Sequence, residues 1–304
     1  MKSPQANLSL GPVLYNWSAD IWRDFYFKIA DEAPVDTVYV GEVVCSKRQP
    51  FFDAVIPDVI ERLQSAGKDV VLSTLALVMT KRELSLIHDL AQSSDFLIEA
   101  NDLSAVSLLK NKAHHIGPFI NVYNEGTLEY LAGNGATRVC LPFELPSNSM
   151  ATLASSAPKS VELEVQVFGK LPLAISARCY HARSCGLTKD SCQFVCADDP
   201  EGMAVKTLDG SPFLTVNGTQ TLSNTCELLI AELSEMRQMG VSSFRLSPLG
   251  DDMVAVAEQY RAVLDGAQDT TESAATIAAF LPGTAFSNGF YHGIEGNQFH
   301  VQGE

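Results

Sequence analysis

Residues 37–75, TVYVGEVVCSKRQPFFDAVIPDVIERLQSAGKDVVLSTL, contain one complete strand–helix–strand unit. Two β-rich apolar runs, Thr37–Val40 and Asp69–Leu75, flank the helical stretch Pro57–Ala66. The helical stretch is followed by Gly67, a residue that commonly ends a helix. A unit of this kind predicts parallel strands joined by a helical crossover.

The same alternation continues along the chain. Ala19–Ala33 has apolar residues near helical spacing, and further apolar runs read as strands. The other strand candidates are Leu8–Tyr15, Phe96–Ile98, Phe119–Val122, Arg138–Leu141, Leu163–Val167, Phe213–Val216 and Phe244–Leu246. Eight or nine such units predict an α/β fold, a (β/α)8-type, TIM-like barrel that is distorted where a cysteine-bearing stretch interrupts the alternation. A doubly wound open sheet is the competing architecture, although neither GxGxxG nor GxxxxGK[ST] occurs.

The domain organisation follows from this alternation. We expect one barrel-type domain over residues 1–264, which includes a cysteine-rich segment at 168–212. Residues 265–304 change in character, from a Thr/Ser-rich bridge to a tail with glycines and aromatic residues. We expect this C-terminal extension to pack on the barrel.

Composition limits the classes of partner and the compartment. The chain has 304 residues and 46% hydrophobic content, and its 21 Lys+Arg against 36 Asp+Glu give a formal charge of −15. This charge repels phosphate backbones, so nucleic acid is not the expected partner. We expect a cytoplasmic protein without a membrane span, because the N-terminus has no signal-type apolar region and the apolar runs are short. Seven cysteines without an export signal indicate reduced thiols.

Four of the cysteines predict a metal or cluster site. Cys179, Cys192 and Cys196 lie in CYHARSCGLTKDSCQFVC, and Cys45 lies upstream in GEVVCSKR. Cys185 offers a local alternative to Cys45 as the fourth thiolate, and spacing does not choose between the two. Spacing also leaves zinc and iron–sulfur open, because thiolates bind both.

Cys140 and Cys226 lie in apolar surroundings and are expected to be buried small hydrophobes, with Cys226 at the start of an amphipathic helix.

In a barrel, residues just after each strand form the functional face. These positions hold polar side chains, although loop positions are polar wherever they meet solvent. The residues are Glu42, Ser73, Glu99, Asn101, Asn121, Asn124, Glu144, Asn217, Arg245 and Ser247. Glu162 and Glu164 alternate in VELEVQVFGK and so share one face of a strand. We expect that face to line a polar barrel interior, because a carboxylate buried without partners is costly.

Ordered sequence blocks carry a family resemblance over residues from about 10 to 250. They are LGPVLYNW, VYVGEVVCSKR, VVLSTLALV, FLIEANDL, NVYN, LEVQVFGKLPLAISARCYHARS and FRLSPLG. Together they resemble the ubiquinone-biosynthesis branch of the collagenase-like peptidase family. The resemblance implies a barrel fold and a [4Fe–4S] cluster bound by Cys45, Cys179, Cys192 and Cys196. Cys185 lies outside that pattern.

The resemblance also implies an activity. Members of this branch form a heterodimer with a UbiU-like protein and hydroxylate ubiquinone precursors without O2, and proteolysis is not implied. A lipid-carrier protein of the same pathway is a further expected partner. Related family members that hydroxylate RNA are associated with prephenate as the oxygen source. The candidate residues for an acidic donor and an aromatic ring are Arg178, Arg245, Asn121 and Asn217, with Glu164 reaching the pocket.

A competing function is a structural iron–sulfur or zinc subunit that stabilises a catalytic partner. A barrel mouth filled by side chains would favour this second function. Peptidase activity has no hydrolase motif behind it, since neither the nucleophile motif GxSxG nor the zinc-binding motif HExxH occurs in the sequence.

Overall fold

Eight parallel strands close into a barrel, and helices alternate with them along the chain. This computed structural model describes residues 6–93 and 95–301. The barrel strands are β1 (Asn7–Leu10), β2 (Thr37–Val40), β3 (Asp69–Ser73), β4 (Leu97–Ala100), β5 (His114–Ile116), β6 (Ala136–Cys140), β7 (Glu162–Ile175) and β11 (Ser243–Leu246). They pair in chain order from β1 to β7, and β11 closes the ring by pairing with both β7 and β1. The predicted (β/α)8-type, TIM-like fold is confirmed.

Several of the helices begin at a side-chain cap. Their bounds are α1 (Ala19–Glu32), α2 (Ile56–Ser65), α3 (Lys81–Ser93), α4 (Leu103–Leu108), α5 (Glu125–Gly133), α6 (Ser147–Ser156), α7 (Tyr180–Ser184), α8 (Leu233–Met239), α9 (Met253–Leu264) and α10 (Thr270–Phe280). Ser18 caps α1 by accepting from the Ile21 N–H, and Asn124 caps α5 by accepting from the Thr127 N–H at 2.9 Å. Such caps satisfy backbone N–H groups that have no partner within the helix.

An apolar core lies between the strands and the helices, whereas part of the barrel interior is polar. Along β1, Leu8 and Leu10 belong to the apolar core, and Ser9 between them donates to Glu164 at 2.6 Å. The alternation follows from the two-residue period of a strand. It places every second residue of a barrel strand toward the axis, which confirms the direction expected for Glu164.

An antiparallel extension grows out of β7 on one side of the barrel. Beyond the barrel, β7 pairs with β10 (Gln220–Leu228), β10 with β9 (Pro212–Asn217), and β9 with β8 (Met203–Lys206). The short strand β12 (Phe286–Ser287) pairs with β10 and so joins the C-terminal region to this extension. The cysteine-bearing stretch lies between β7 and β8.

The structure corrects three of the predicted strands. The strand predicted at Leu8–Tyr15 ends at Leu10, since a proline at position 12 cannot donate to a strand ladder. The strand predicted at Phe119–Val122 is wrong, and His114–Ile116 is the fifth strand. Phe213–Val216 does lie in a strand, but that strand belongs to the antiparallel extension and not to the barrel.

The helix predicted to start at Cys226 is also wrong. Cys226 lies inside β10, where it is 1% exposed, and the helix begins only at Leu233. Burial of Cys226 and of Cys140, which is 0% exposed, agrees with the expectation for both side chains.

None of the helices within residues 6–93 and 95–301 combines the length and the apolar character needed to cross a membrane.

We predict that Gly169→Ala strongly destabilises the fold. Gly169 stands where β7 leaves the barrel, with φ +109°, and a Cβ there would lie 2.6 Å from the Ser247 Cβ and 2.7 Å from the Ser247 O. The left-handed backbone costs about 1–2 kcal/mol, and the clash adds roughly 1–3 kcal/mol to the loss in free energy of unfolding. Gly67→Ala is the control, because Gly67 has φ +78° and open space around it. The free energy of unfolding is measured by urea denaturation. Equal losses for Gly169→Ala and Gly67→Ala would contradict the prediction.

Candidate functional site

A pocket at the C-terminal ends of the strands collects the four cysteines named above. Cys45, Cys179, Cys192 and Cys196 all lie in its wall. Cys45 follows β2, and Cys179 follows β7. Cys185 is exposed and lies outside this wall. The structure therefore places Cys45, and not Cys185, next to the other three thiols.

Local backbone structure turns the three clustered cysteines toward the pocket. Cys179 caps the N-terminus of α7, and its Sγ accepts from the Ala182 N–H at 3.4 Å. Between Cys192 and Cys196, Gln193 and Phe194 adopt left-handed conformations with φ 49° and 56°. Two consecutive non-glycine residues in this region are unusual and reverse the chain tightly. This reversal brings both flanking cysteines to the same wall.

Hydrogen bonds connect the pocket to the barrel. Asn16 Nδ2 donates to Cys196 Sγ at 3.3 Å. Arg48 is 1% exposed, and its guanidinium donates to the Leu14 carbonyl at 2.9 Å and to Asn217 Oδ1 at 2.8 Å. Lys47 Nζ donates to the Lys189 carbonyl at 2.6 Å, which ties the loop after β2 to the cysteine-bearing stretch. The loops after β1 and β2 are thus held together around the thiols.

The charge around the pocket is positive although the chain is acidic. Lys47, Arg48 and Lys189 line it. Burial, with the nearby Glu42 carboxylate, raises the pKa of the Cys45 thiol, and burial also raises the pKa of Cys179. When no metal is bound, these two thiols are therefore protonated at neutral pH, unlike the activated thiolate of a cysteine nucleophile.

The four cysteines are a donor set of the kind that holds a thiolate-bound iron–sulfur cluster. Within residues 6–93 and 95–301, no three His, Cys, Asp or Glu side chains are grouped closely enough to hold one metal ion. An iron–sulfur cluster accepts four thiolates that are spread around its larger core. Three nearby cations and two N–H groups donating to sulfur suit the negative charge of a thiolate-bound cluster.

A second group of predicted residues lies in the barrel interior and forms a buried ion-pair network. Arg245 donates through Nε to Glu164 Oε2 at 2.9 Å, and its Nη2 lies 2.7 Å from Glu99 Oε1. Its guanidinium also stacks 4.0 Å from the centre of the Tyr39 ring. Glu164 accepts in addition from the Ser243 hydroxyl at 3.0 Å. Arg245 and Glu164 therefore neutralise each other and fill the space around the barrel axis.

The network shifts two pKa values strongly. Burial alone would raise the pKa of Glu164, but the guanidinium groups of Arg245 and Arg138 outweigh it and lower the pKa to about 2. Burial, reinforced by Arg138, lowers the pKa of His115 to about 3. His115 Nδ1 lies 3.0 Å from the Tyr39 hydroxyl. The imidazole is therefore neutral at physiological pH and serves as a hydrogen-bonding partner.

The remaining predicted residues are dispersed. Arg178 and Asn121 are exposed, while Asn217 is 1% exposed and bonded to Arg48. The proposed donor-binding set Arg178, Arg245, Asn121 and Asn217 thus divides between surface and interior.

Three of the strand-end residues, Glu99, Arg245 and Ser247, do meet at a small pocket in the barrel mouth. Asn124 instead caps α5, and Glu144 accepts a hydrogen bond from Tyr123.

Sequence reasoning missed Asn16 and Arg48, which support the cysteine pocket. Arg48 lies three residues after Cys45, and a basic residue so close to a candidate ligand is a usable signal. Asn16 had no such signal, because only the closed barrel brings the loop after β1 to Cys196.

These features define a (β/α)8 barrel with a pocket lined by four cysteines in the loops after its strands. The family model of peptidase family U32 matches residues 25–300 of the chain, and the chain therefore belongs to this family. The predicted collagenase-like peptidase family is thereby confirmed, while the ubiquinone-biosynthesis branch remains a prediction.

Three solved structures are similar to the chain at low sequence identity. The U32 peptidase Mk0906 is 13% identical with a TM-score of 0.47, covering 83% of this chain and 96% of that protein. A protein named as a fructose-1,6-bisphosphate aldolase from Coccidioides immitis is 10% identical with a TM-score of 0.42, covering 91% and 87%. A phospho-2-dehydro-3-deoxyheptonate aldolase from Thermotoga maritima is 11% identical with a TM-score of 0.36, covering 93% and 72%.

We predict that the free energy of unfolding of His115→Asn falls less steeply with decreasing pH than that of wild type. The histidine pKa is 6.5 in the unfolded chain and about 3 in the folded chain, so the unfolded chain binds an extra proton between these values. The free energy of unfolding then falls as pH drops from 6.5, by at most about 1.4 kcal/mol per pH unit for this one proton.

Urea denaturation of wild type and His115→Asn at pH 6.5, 5.5 and 4.5 measures this difference, and comparing the two proteins at each pH removes the contribution of the carboxylates that both contain. Parallel pH profiles for the two proteins would show that His115 is protonated in the folded state.

Proposed function

We propose that the chain is an iron–sulfur component of an O2-independent hydroxylase acting on ubiquinone precursors, in the UbiV branch of its family. One observation carries the proposal: Cys45, from the loop after β2, lines a single pocket together with Cys179, Cys192 and Cys196 from the stretch between β7 and β8. These are the four positions that the sequence blocks of that branch assign to a [4Fe–4S] cluster. In this proposal the protein is cytoplasmic and works as a heterodimer with a UbiU-like protein.

The side chains around the pocket have defined roles in this proposal. The four cysteines hold the cluster, and Arg48, Lys47 and Lys189 balance its negative charge. Asn16 orients the Cys196 sulfur and shifts the potential by donating to it. When bound, the cluster supplies one-electron transfer, since four thiolate ligands leave no open iron position.

An acidic oxygen donor such as prephenate needs cationic partners. Arg245 is already paired with Glu164 in the barrel interior, so it is a poor candidate for that role. Lys47 and Lys189 are half-buried and line the cysteine pocket, which makes them better candidates for meeting a carboxylate. Lys47 and Lys189 therefore replace Arg178, Arg245, Asn121 and Asn217 as the proposed residues that bind the oxygen donor.

A second candidate function is a non-catalytic subunit that stabilises a catalytic partner through its iron–sulfur or zinc site. The filled barrel interior favours it. The pocket at the barrel mouth has a volume of only about 20 Å³, which is room for about one water molecule.

We predict that Cys192→Ala removes the cluster while Cys185→Ala leaves it in place. Cys192 lines the pocket, and Cys185 is exposed outside it. Anaerobically purified variants are analysed for iron, acid-labile sulfide, zinc and visible absorption. Wild-type iron and sulfide in Cys192→Ala, or their loss in Cys185→Ala, would contradict the ligand set. Zinc without iron in wild type would favour a structural zinc site.

We predict that the chain together with a UbiU-like protein hydroxylates a prenylated phenol under strictly anaerobic conditions when prephenate is present as oxygen donor and two-electron oxidant, and that Cys192→Ala abolishes the product. Mass spectrometry with 18O-labelled water and, separately, with unlabelled prephenate identifies the oxygen source. Label from water with no effect of prephenate on turnover would exclude prephenate as the donor. Full product formation by the partner with Cys192→Ala would favour the non-catalytic function.

A further inference from the structure

The largest of the three pockets described lies outside the barrel wall, between α2 and α3. It has a volume of about 290 Å³, whereas the cysteine pocket and the barrel-mouth pocket measured in the same way hold about 20 Å³ each. Small-molecule sites have volumes from ~300 Å³ upward, so this cavity is near the size of a binding site for a single ring with a short chain.

The cavity arises from the way the helices pair. α2 packs on α1, and α3 packs on α4. The strands β2 and β3 form the floor between the two pairs, through Val40 and Leu72. Leu72, Leu86 and Leu90 line the cavity and stay half-buried in a region where barrel and helices otherwise bury such side chains. Apolar surface left open in this way favours an apolar ligand.

The chemistry of the walls selects a neutral ligand. Seven aliphatic side chains line the cavity, among them Ile56 and Leu75. None of its lining residues, all within the described part of the chain, is a lysine or an arginine, whereas Glu42 and Asp89 are both acidic. Anionic molecules such as phosphates or carboxylates are therefore disfavoured. Gln49 and Glu42 provide hydrogen-bonding groups at the side of the loop after β2.

Different residues of one loop, 41–49, line the cavity and the cysteine pocket. Glu42 lines the cavity, and its Oε1 accepts from the N–H groups of Val44 at 2.7 Å and Cys45 at 2.8 Å. Gln49 lines the cavity, while its neighbour Arg48 lines the cysteine pocket. The loop of residues 41–49 thus lies between the cavity and the cysteine pocket.

We propose that the cavity between α2 and α3 binds the substrate of this chain, an uncharged phenol carrying an isoprenoid chain. The aromatic ring and its hydroxyl lie toward Glu42 and Gln49, and the isoprenoid chain lies along Leu86 and Leu90 toward solvent. The identity of the ligand rests on the proposed function, whereas the apolar, neutral character of the site rests on its walls. This placement brings the ring against the loop that carries Cys45.

The test is binding of 2-geranylphenol to the full chain, purified anaerobically with its cluster and measured by isothermal titration calorimetry. Leu86→Trp fills the cavity, and we expect it to weaken binding by about tenfold or more, since a tenfold change needs only ~1.4 kcal/mol. Leu84→Trp is the matched control, because Leu84 lies on the same helix, is 44% exposed and is not part of the wall. We expect its affinity to stay within about twofold of wild type, a change of ~0.4 kcal/mol.

Circular dichroism and iron content verify that each variant folds and keeps its metal. If Leu86→Trp fails to fold, Leu90→Trp, at another position of the wall, replaces it. Wild-type affinity in a folded cavity variant, or no binding to wild type, overturns the proposed site.

The outcome is separable from that of the proposed function. Hydroxylation with a UbiU-like protein that is unaffected by Leu86→Trp leaves the function standing and removes the site. Binding that Leu86→Trp abolishes, in a chain that supports no hydroxylation, keeps the site and removes the function.

Discussion

The barrel depends on one buried ion pair, between Arg245 of β11 and Glu164 of β7. β11 closes the ring between β7 and β1. Glu164 also accepts a hydrogen bond from Ser9 of β1. Arg245 extends to Glu99 of β4 and stacks over Tyr39 of β2. A buried pair of this kind costs desolvation free energy, and losing one partner would leave an uncompensated charge. The contacts of Arg245 and Glu164 that join the closing strand to its neighbours therefore also neutralise the charges in the barrel interior.

The paired charges leave little open space at the barrel axis for a ligand or a cluster. Because the interior is occupied by paired charges, the polar strand-end residues there are committed to structure, and the open pockets lie in loops and between helices. The loop after β2 is the common element, since its residues face both the cysteine pocket and the cavity beside α2. The family relationship fixes the fold, whereas the loops decide what each family member does with it.

Local sequence patterns predicted elements that are locally determined. Thr37–Val40 is a strand because its β-branched and aromatic residues alternate, and it was found with the predicted bounds. His114–Ile116 was missed, because two histidines obscure a strand whose burial comes from the closed barrel. The four cysteines were identifiable from sequence blocks, but their convergence, the support from Asn16 and the burial of Arg48 all require contacts between distant loops. The cavity has no local signal, because it results from the spacing of two helix pairs.

The separation of the four cysteines along the chain has a mechanical consequence. If one group binds them all, it acts as a cross-link between the loop after β2 and the stretch that precedes the antiparallel extension. A clip across so long a segment lowers the conformational entropy of the open chain and thereby stabilises the closed form. If that group is the proposed iron–sulfur cluster, the supply of iron then sets how firmly this side of the barrel is closed.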